Sequence, residues 1–226
     1  MQEAAKRAVK HFLFRRGMRK YRIRGGALSG LWFQFDLHQD TQAWRGIYEQ
    51  PLQRWLSTYV KPGDTCLDIG GADGYFALLM AKLSGPQGQV HSFEPSEKIK
   101  YIQQNFALNQ GMPLAPLTRY GSYVGAEENP QMKIVSIDSL VDSGKITTVN
   151  VVKIDVDGGE MDVLLGMART LERFHPHLFV ETHSHKLQEQ VAEVTKQYGY
   201  SMRLEMPAAH ELRPGLDFNA FYLSEK

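Results

Sequence analysis

From residue 65 onward the chain alternates between two patterns, and this alternation limits its fold more than any other feature. Short apolar runs at 65–69, 89–93, 117–120, 149–155 and 178–182 are separated by stretches with helical spacing at 75–83, 96–109, 159–172 and 186–198. Strand–helix–strand repetition makes neighbouring strands parallel, because each crossover carries the chain back to the same end of the sheet. Parallel strands are covered by helices on both faces, which fits runs of almost continuous apolar residues. The end departs from the pattern. Residues 200–205 and 219–223 read as two strands with a turn and no long helix between them, so one strand there runs antiparallel. Within the helices, Ile99, Ile102 and Phe106 are expected inward, with Ser96 as N-cap. Met161, Leu164, Ala168 and Leu171 are expected inward on 159–172. Residues 121–136 show no clear period.

The chain before residue 61 reads as an N-terminal basic helix and cap segment, with residues 61–226 as the α/β domain. Ala5, Val9, Phe12 and Leu13 share one helical face, with basic residues around them. Residues 31–37 suggest a short strand, and 49–60 a helix with Leu52, Trp55, Leu56 and Tyr59 on one face. Charge is uneven. Nine of the 26 Lys and Arg residues fall within residues 1–24, against one of the 25 Asp and Glu residues, so the remainder is about −7. A basic segment at 6–24 on an acidic body implies contact with an anionic partner: a membrane surface, a phosphorylated substrate, a nucleic acid or the body itself. No apolar run approaches eighteen residues, and no secretory signal follows the basic start. The one cysteine, Cys66, excludes an internal disulfide and reads as a buried strand residue, which fits a reducing, cytoplasmic setting.

The stretch most informative about function is Asp68-Ile69-Gly70-Gly71-Ala72-Asp73-Gly74-Tyr75, between an apolar strand and an amphipathic helix. Its glycines allow a tight turn and close approach of a ligand to the main chain. Glu94, twenty residues beyond Gly74 in Phe93-Glu94-Pro95, ends the next strand, where a carboxylate accepts hydrogen bonds from both hydroxyls of a ribose. A dinucleotide fingerprint needs glycine at its first, third and sixth positions. Counted from Gly70, the third is Ala72 and the sixth Tyr75, so the fingerprint fails. Asp68 is placed to face an ammonium group, directly or through water, and would sit badly beside a pyrophosphate.

These elements together resemble the FkbM-type class I methyltransferases. The resemblance is carried by Gly46-Ile47-Tyr48-Glu49, Lys61-Pro62-Gly63-Asp64, Asp68-Ile69-Gly70 with Gly74-Tyr75, Phe93-Glu94-Pro95, Ser136-Ile137-Asp138-Ser139-Leu140, Lys153-Ile154-Asp155-Val156-Asp157-Gly158-Gly159-Glu160 and Val180-Glu181-Thr182-His183. The chain departs from that pattern at Gly71-Ala72, where the family often has Ala-Asn, and at Asp157, where it usually has Glu. The resemblance implies a Rossmann-like α/β fold: a mostly parallel seven-stranded sheet, one antiparallel strand near the C-terminus and helices on both faces. It implies S-adenosylmethionine as methyl donor and O-methylation of a small-molecule or glycan hydroxyl. The expected cofactor-binding residues are Asp68, Gly70, Gly71, Ala72, Gly74, Tyr75, Glu94, Pro95, Ser122 and Asp155, with Gly121 beside Ser122.

In an open α/β sheet, ligands bind beyond the carboxyl ends of the strands. Asp155, Glu181 and His183 lie at or just past such ends and form the expected catalytic group. His183 is the first choice of base, because imidazole titrates near neutral pH. Its alternative is a loop histidine bonded to a carbonyl. Asp155 has three readings: cofactor contact, base or ligand of a divalent metal. A metal is possible with Asp155, Glu181 and His183 as donors but is not favoured, as no tight ligand spacing supports one. Asp157 and Glu160 read as a capping box. His175 and His177 read as structural and His185 as exposed. Two competing functions remain: a nucleic-acid methyltransferase using the basic segment, which lacks an Asn/Asp-Pro-Pro-Tyr/Phe motif, and a non-catalytic S-adenosylmethionine-binding module. The acceptor and the oligomeric state are not legible.

Overall fold

The computed structural model describes residues 17–182, 184–204 and 218–224. The expected helix at the N-terminus and His183 lie outside the described residues. A seven-stranded sheet forms the centre, built from β3 (Thr65–Ile69), β4 (Gln89–Phe93), β5 (Leu117–Tyr120), β8 (Val151–Ile154), β9 (His177–Thr182), β10 (Tyr200–Leu204) and β11 (Phe218–Ser224). Its order is β10-β11-β9-β8-β3-β4-β5. Neighbours from β5 to β9 pair in parallel. β11 runs antiparallel to both β9 and β10.

Period-2 alternation divides the strand side chains between two cores. Cys66, Val90, Val151 and Phe179 face α2 (Gln50–Tyr59), α3 (Tyr75–Ser84) and α4 (Ile99–Ala107). Leu67, Ile69, Phe93, Val152, Ile154, Leu178 and Val180 face α5 (Ile137–Asp142), α6 (Glu160–Leu165), α7 (Ala168–Phe174) and α8 (His185–Gln197). Every residue of β3 and β8 is buried, as strands covered on both faces require.

The segment before the sheet holds a hairpin, β1 (Arg19–Arg22) with β2 (Trp32–Phe35), and a short helix, α1 (Thr41–Arg45). Phe33, Phe35, Leu28 and Leu31 are buried in the same core as α3. Helix α4 covers one edge of β2. Asn109 Oδ1 accepts from Trp32 N at 2.8 Å, and Asn109 Nδ2 donates to Trp32 O at 2.8 Å. Asn105 Oδ1 accepts from Gln34 N at 2.9 Å. Two asparagines one helical turn apart thus do the work of a neighbouring strand. Arg19, Lys20, Arg22 and Arg24 of the basic segment are exposed. Arg22 and Arg24 lie over the Trp32 and Trp44 rings, 5.1 and 5.2 Å from their centroids.

Some local expectations are corrected. The helix expected at 159–172 is two helices, parted at Gly166–Met167. A Cβ on Gly166 would meet Gly125 O at 2.1 Å, and Gly166 O accepts from Asp138 N and Ser136 Oγ. These contacts hold the break. Ser96 does not cap α4; the N-cap is Lys98, and Ser96 Oγ accepts from Lys98 N in the preceding turn. Ile102 and Asn105 form the buried face of that helix, with Ile99 and Phe106 only partly covered. Asp157 is not the N-cap expected of a capping box with Glu160. The N-cap of α6 is Gly159, Asp157 is left-handed at φ 54°, and Glu160 Oε1 accepts from Gly158 N. Residues 123–135 hold two short paired strands, β6 (Tyr123–Val124) and β7 (Ile134–Val135).

Candidate active site

The turn after β3 is shaped by contacts that leave no room for side chains. Gly70 has φ 81°, and a Cβ there would lie 1.8 Å from Asp155 O. A Cβ on Gly71 would meet Ser92 Oγ at 2.2 Å, and one on Gly74 would press against Ile102. The amides of Gly70 and Gly71 both donate to Phe93 O, tying the turn to the end of β4. Ala72 is left-handed at φ 46°, an unfavourable conformation for alanine. Its amide donates to Glu94 Oε2 at 2.8 Å, while Ser96 N donates to Glu94 Oε1 at 2.9 Å. Glu94 is therefore fixed by one amide on each oxygen. A carboxylate offers about four acceptor positions, so two remain for a ligand.

A cleft of about 540 Å³ opens above this turn. Of the residues expected at a cofactor, Gly70, Ala72, Glu94, Pro95, Ser122 and Asp155 line it. Asp68, Gly71, Gly74 and Tyr75 stand behind the wall and shape the turn from below, and Asp68 is fully buried. The sequence reading missed several lining residues: Phe93, Tyr123 and Val124, which add apolar surface, and Lys98 and Asp157, which add charge. Phe93 stacks on Tyr120 with centroids 4.5 Å apart, which stiffens one side.

At one end of the cleft is a group of charges. Strands β8 and β9 pair Ile154 with Val180, so Asp155, just past β8, comes beside Glu181, the next-to-last residue of β9. Lys153 lies two residues earlier, on the same face as Val151. Its side chain is 2 % exposed, with Nζ 3.5 Å from Asp68 Oδ1 and 3.3 Å from Asp155 Oδ2. It also donates to Gly70 O at 2.9 Å. Burial alone would lower the Lys153 pKa, but Asp155, Asp68, Glu49 and Glu181 together raise it and keep the ammonium charged. Burial raises the pKa of Asp68, opposed by Lys153 and by the hydroxyl of Ser92. A lysine inside Val-Val-Lys-Ile, an otherwise apolar strand, is the signal that could have marked it, since an unpaired buried ammonium is too costly to keep.

Tyr48 and Glu49 come over this end from the segment before α2. The Tyr48 ring packs on Tyr75 and Phe76, at 5.7 and 5.8 Å between centroids. Its phenol is pushed up, by burial first and then by Glu49, Asp155 and Glu181. It therefore stays protonated and can act as a hydrogen-bond donor. Among the described residues, no group of three or more His, Cys, Asp or Glu side chains is arranged to hold a metal. His177, at the opposite end of β9, packs on the Tyr59 ring at 4.7 Å, and burial lowers its pKa.

The sheet order, the glycine turn and the acid closing the second strand of the sheet define an S-adenosylmethionine-dependent methyltransferase. Residues 68–206 match the model of the Methyltransferase FkbM domain, and the chain belongs to that family. Over 181 residues it is 28% identical to AglP, a hexuronic acid methyltransferase of Haloferax volcanii, covering 70% of this chain and 73% of that one. The fold is shared with methyltransferase FkbM from Methylobacillus flagellatus KT, at TM-score 0.53 and 14% identity, covering 82% of this chain and 59% of that one. It is also shared with TYW2 of M. jannaschii in complex with AdoMet, at TM-score 0.54 and 13% identity, covering 93% and 88%. The cleft fits the cofactor. Its volume is in the range of small-ligand sites, and the spare acceptor positions of Glu94 suit a diol. The half-open carboxylate of Asp155, 29% exposed, suits a cation.

Proposed function

We propose that this enzyme methylates a hydroxyl of a small molecule or glycan. Bound S-adenosylmethionine supplies a methyl group already activated on a sulfonium. Glu94 holds the ribose diol, Pro95, Ser122 and the apolar wall around Phe93 hold the base, and Asp155 faces the cationic end. The turn residues Asp68, Gly70, Gly71, Ala72, Gly74 and Tyr75 give the main chain its shape beneath. The acceptor hydroxyl lies between this end and Tyr48. Its oxygen forms a bond to the methyl carbon as the carbon–sulfur bond breaks. The electron pair stays on sulfur, and the hydroxyl proton passes to a base. His183, directly after β9, is our candidate for that base, with Asp155 and Glu181 orienting the acceptor. Alignment supplies up to about 7–11 kcal/mol of such a barrier, and a positioned base about 10²–10⁴-fold in rate.

The observation that carries this reading is the cleft lined by both Glu94 and Asp155. Glu181 stands on β9 next to Asp155, and the Tyr48 phenol feels the charge of both, so groups able to bind an acceptor hydroxyl adjoin Asp155. The relative acting on a hexuronic acid supports a glycan acceptor. The lone buried Cys66 supports a cytoplasmic setting, and the exposed cations of 19–24 support contact with an anionic partner.

The test offers labelled methyl donor to the full chain with a panel of sugars, uronic acids and glycan extracts, and identifies the labelled product. Label in an O-methyl ether is the expected result; label on a nucleobase overturns the reading. His183→Ala is expected to lower turnover at least tenfold while methyl-donor affinity changes less than threefold, by initial rates and calorimetry.

A further inference from the structure

The steps above leave Lys153 without a part, yet its ammonium joins the glycine turn to the Asp155 carboxylate. It makes three contacts: Gly70 O at 2.9 Å, Asp155 Oδ2 at 3.3 Å and Asp68 Oδ1 at 3.5 Å. Of the three charged side chains, Asp155 is 29% exposed, against 2% for Lys153 and 1% for Asp68. The set carries one net negative charge, and it is presented on the carboxylate that borders the cleft. Turn and carboxylate are also in backbone contact, because only the absent Cβ of Gly70 lets Asp155 O approach. An ammonium bridging Gly70 O and Asp155 Oδ2 leaves that carboxylate little freedom of direction.

We propose that Lys153 is a positioning residue for methyl transfer. It aims the Asp155 carboxylate at the cationic end of the bound methyl donor, and so makes the site prefer a sulfonium over the neutral thioether that remains after transfer. The inference rests on the cleft reading given above. Coulomb attraction falls inversely with distance, so a carboxylate that swings to twice its separation loses half of it. A neutral sulfur gains nothing from that aim. Preference for the sulfonium over the thioether therefore reports the direction of Asp155 and is insensitive to a general loosening of the turn, which weakens both ligands alike.

Calorimetry with S-adenosylmethionine and S-adenosylhomocysteine on the full chain tests this. Removing Lys153 alone would leave the buried Asp68 carboxylate without a cation, so Asp68→Asn and Lys153→Met are made together, which keeps the net charge of the set unchanged. In the otherwise wild-type chain this pair is expected to lower the preference for the sulfonium fivefold or more. In an Asp155→Asn background the same pair is expected to change it less than twofold, because no carboxylate remains to be aimed. An equal change in both backgrounds, or none in the first, overturns the proposal. If the methionine variant does not fold, Lys153→Gln, which tolerates water beside it, replaces it with the same expectation. A wild-type chain that binds neither ligand sinks the cleft reading itself. One that binds both, with a preference Lys153 does not move, sinks only the positioning role.

Discussion

Ala72 adopts a conformation that suits glycine or asparagine better, and it does so at the amide that fixes Glu94. Ala72→Gly removes the Cβ penalty while keeping the amide, so it is expected to stabilise the fold by about 0.5–1 kcal/mol in urea unfolding. Glu94→Ala is expected to weaken S-adenosylmethionine binding at least tenfold by calorimetry, about 1.4 kcal/mol, with the thermal transition retained. Asp73 adds a dependence on pH. Burial and then Asp40 raise its carboxyl to about 6, with Lys98 opposing. Between the ordinary value of 3.8 and 6 the folded state holds more proton than the unfolded one, so this residue's contribution to stability falls as pH rises through that window. Asp73→Asn is therefore expected to raise the melting temperature more at pH 7.5 than at pH 4.5. The glycine turn and Glu94 were legible in the sequence because both chemistry and backbone geometry demand those residue types at that spacing. The surroundings of Lys153 and Tyr48 were not, since they depend on which strand ends and loops meet in space.

Elements with strong periods were readable to within a few residues: β3, β4, β5, β9 and α8 lie close to the expected positions. Elements held by tertiary contacts were not. Helix α4 was read from Ile99, Ile102 and Phe106, yet it also carries Asn105, and the turn after it Asn109, which together mimic a strand toward β2. No local pattern marks an asparagine as a ladder partner. Asn109→Leu removes the partners of both Trp32 backbone groups, and each buried polar group left without one costs about 1–3 kcal/mol. We expect a loss of at least about 1 kcal/mol, read from the denaturant midpoint, and an unchanged midpoint would refute the clamp. Asn105 also donates to Asp73 O, so the same helix joins the hairpin to the glycine turn. The break between α6 and α7 has the same origin: a helical sequence interrupted because Gly166 is needed against Gly125.

At the scale of the whole molecule, two cores lie on either side of one sheet, and the segment before residue 61 shares one of them with α3. The N-terminal hairpin and the sheet were read as separate regions, and that sharing was hidden because Phe33 and Phe35 are far in sequence from the helix they cover. The seven-strand order places the cleft where the chain crosses from β5 back to β8, on either side of β3 and β4. The same order sets a timetable for synthesis. β10 occupies the outer edge, but its link to β9 runs through β11, which is made later. β10 therefore cannot join the sheet until β11 exists to bridge it to β9. Translation has to pass Ser224 before that edge is sealed.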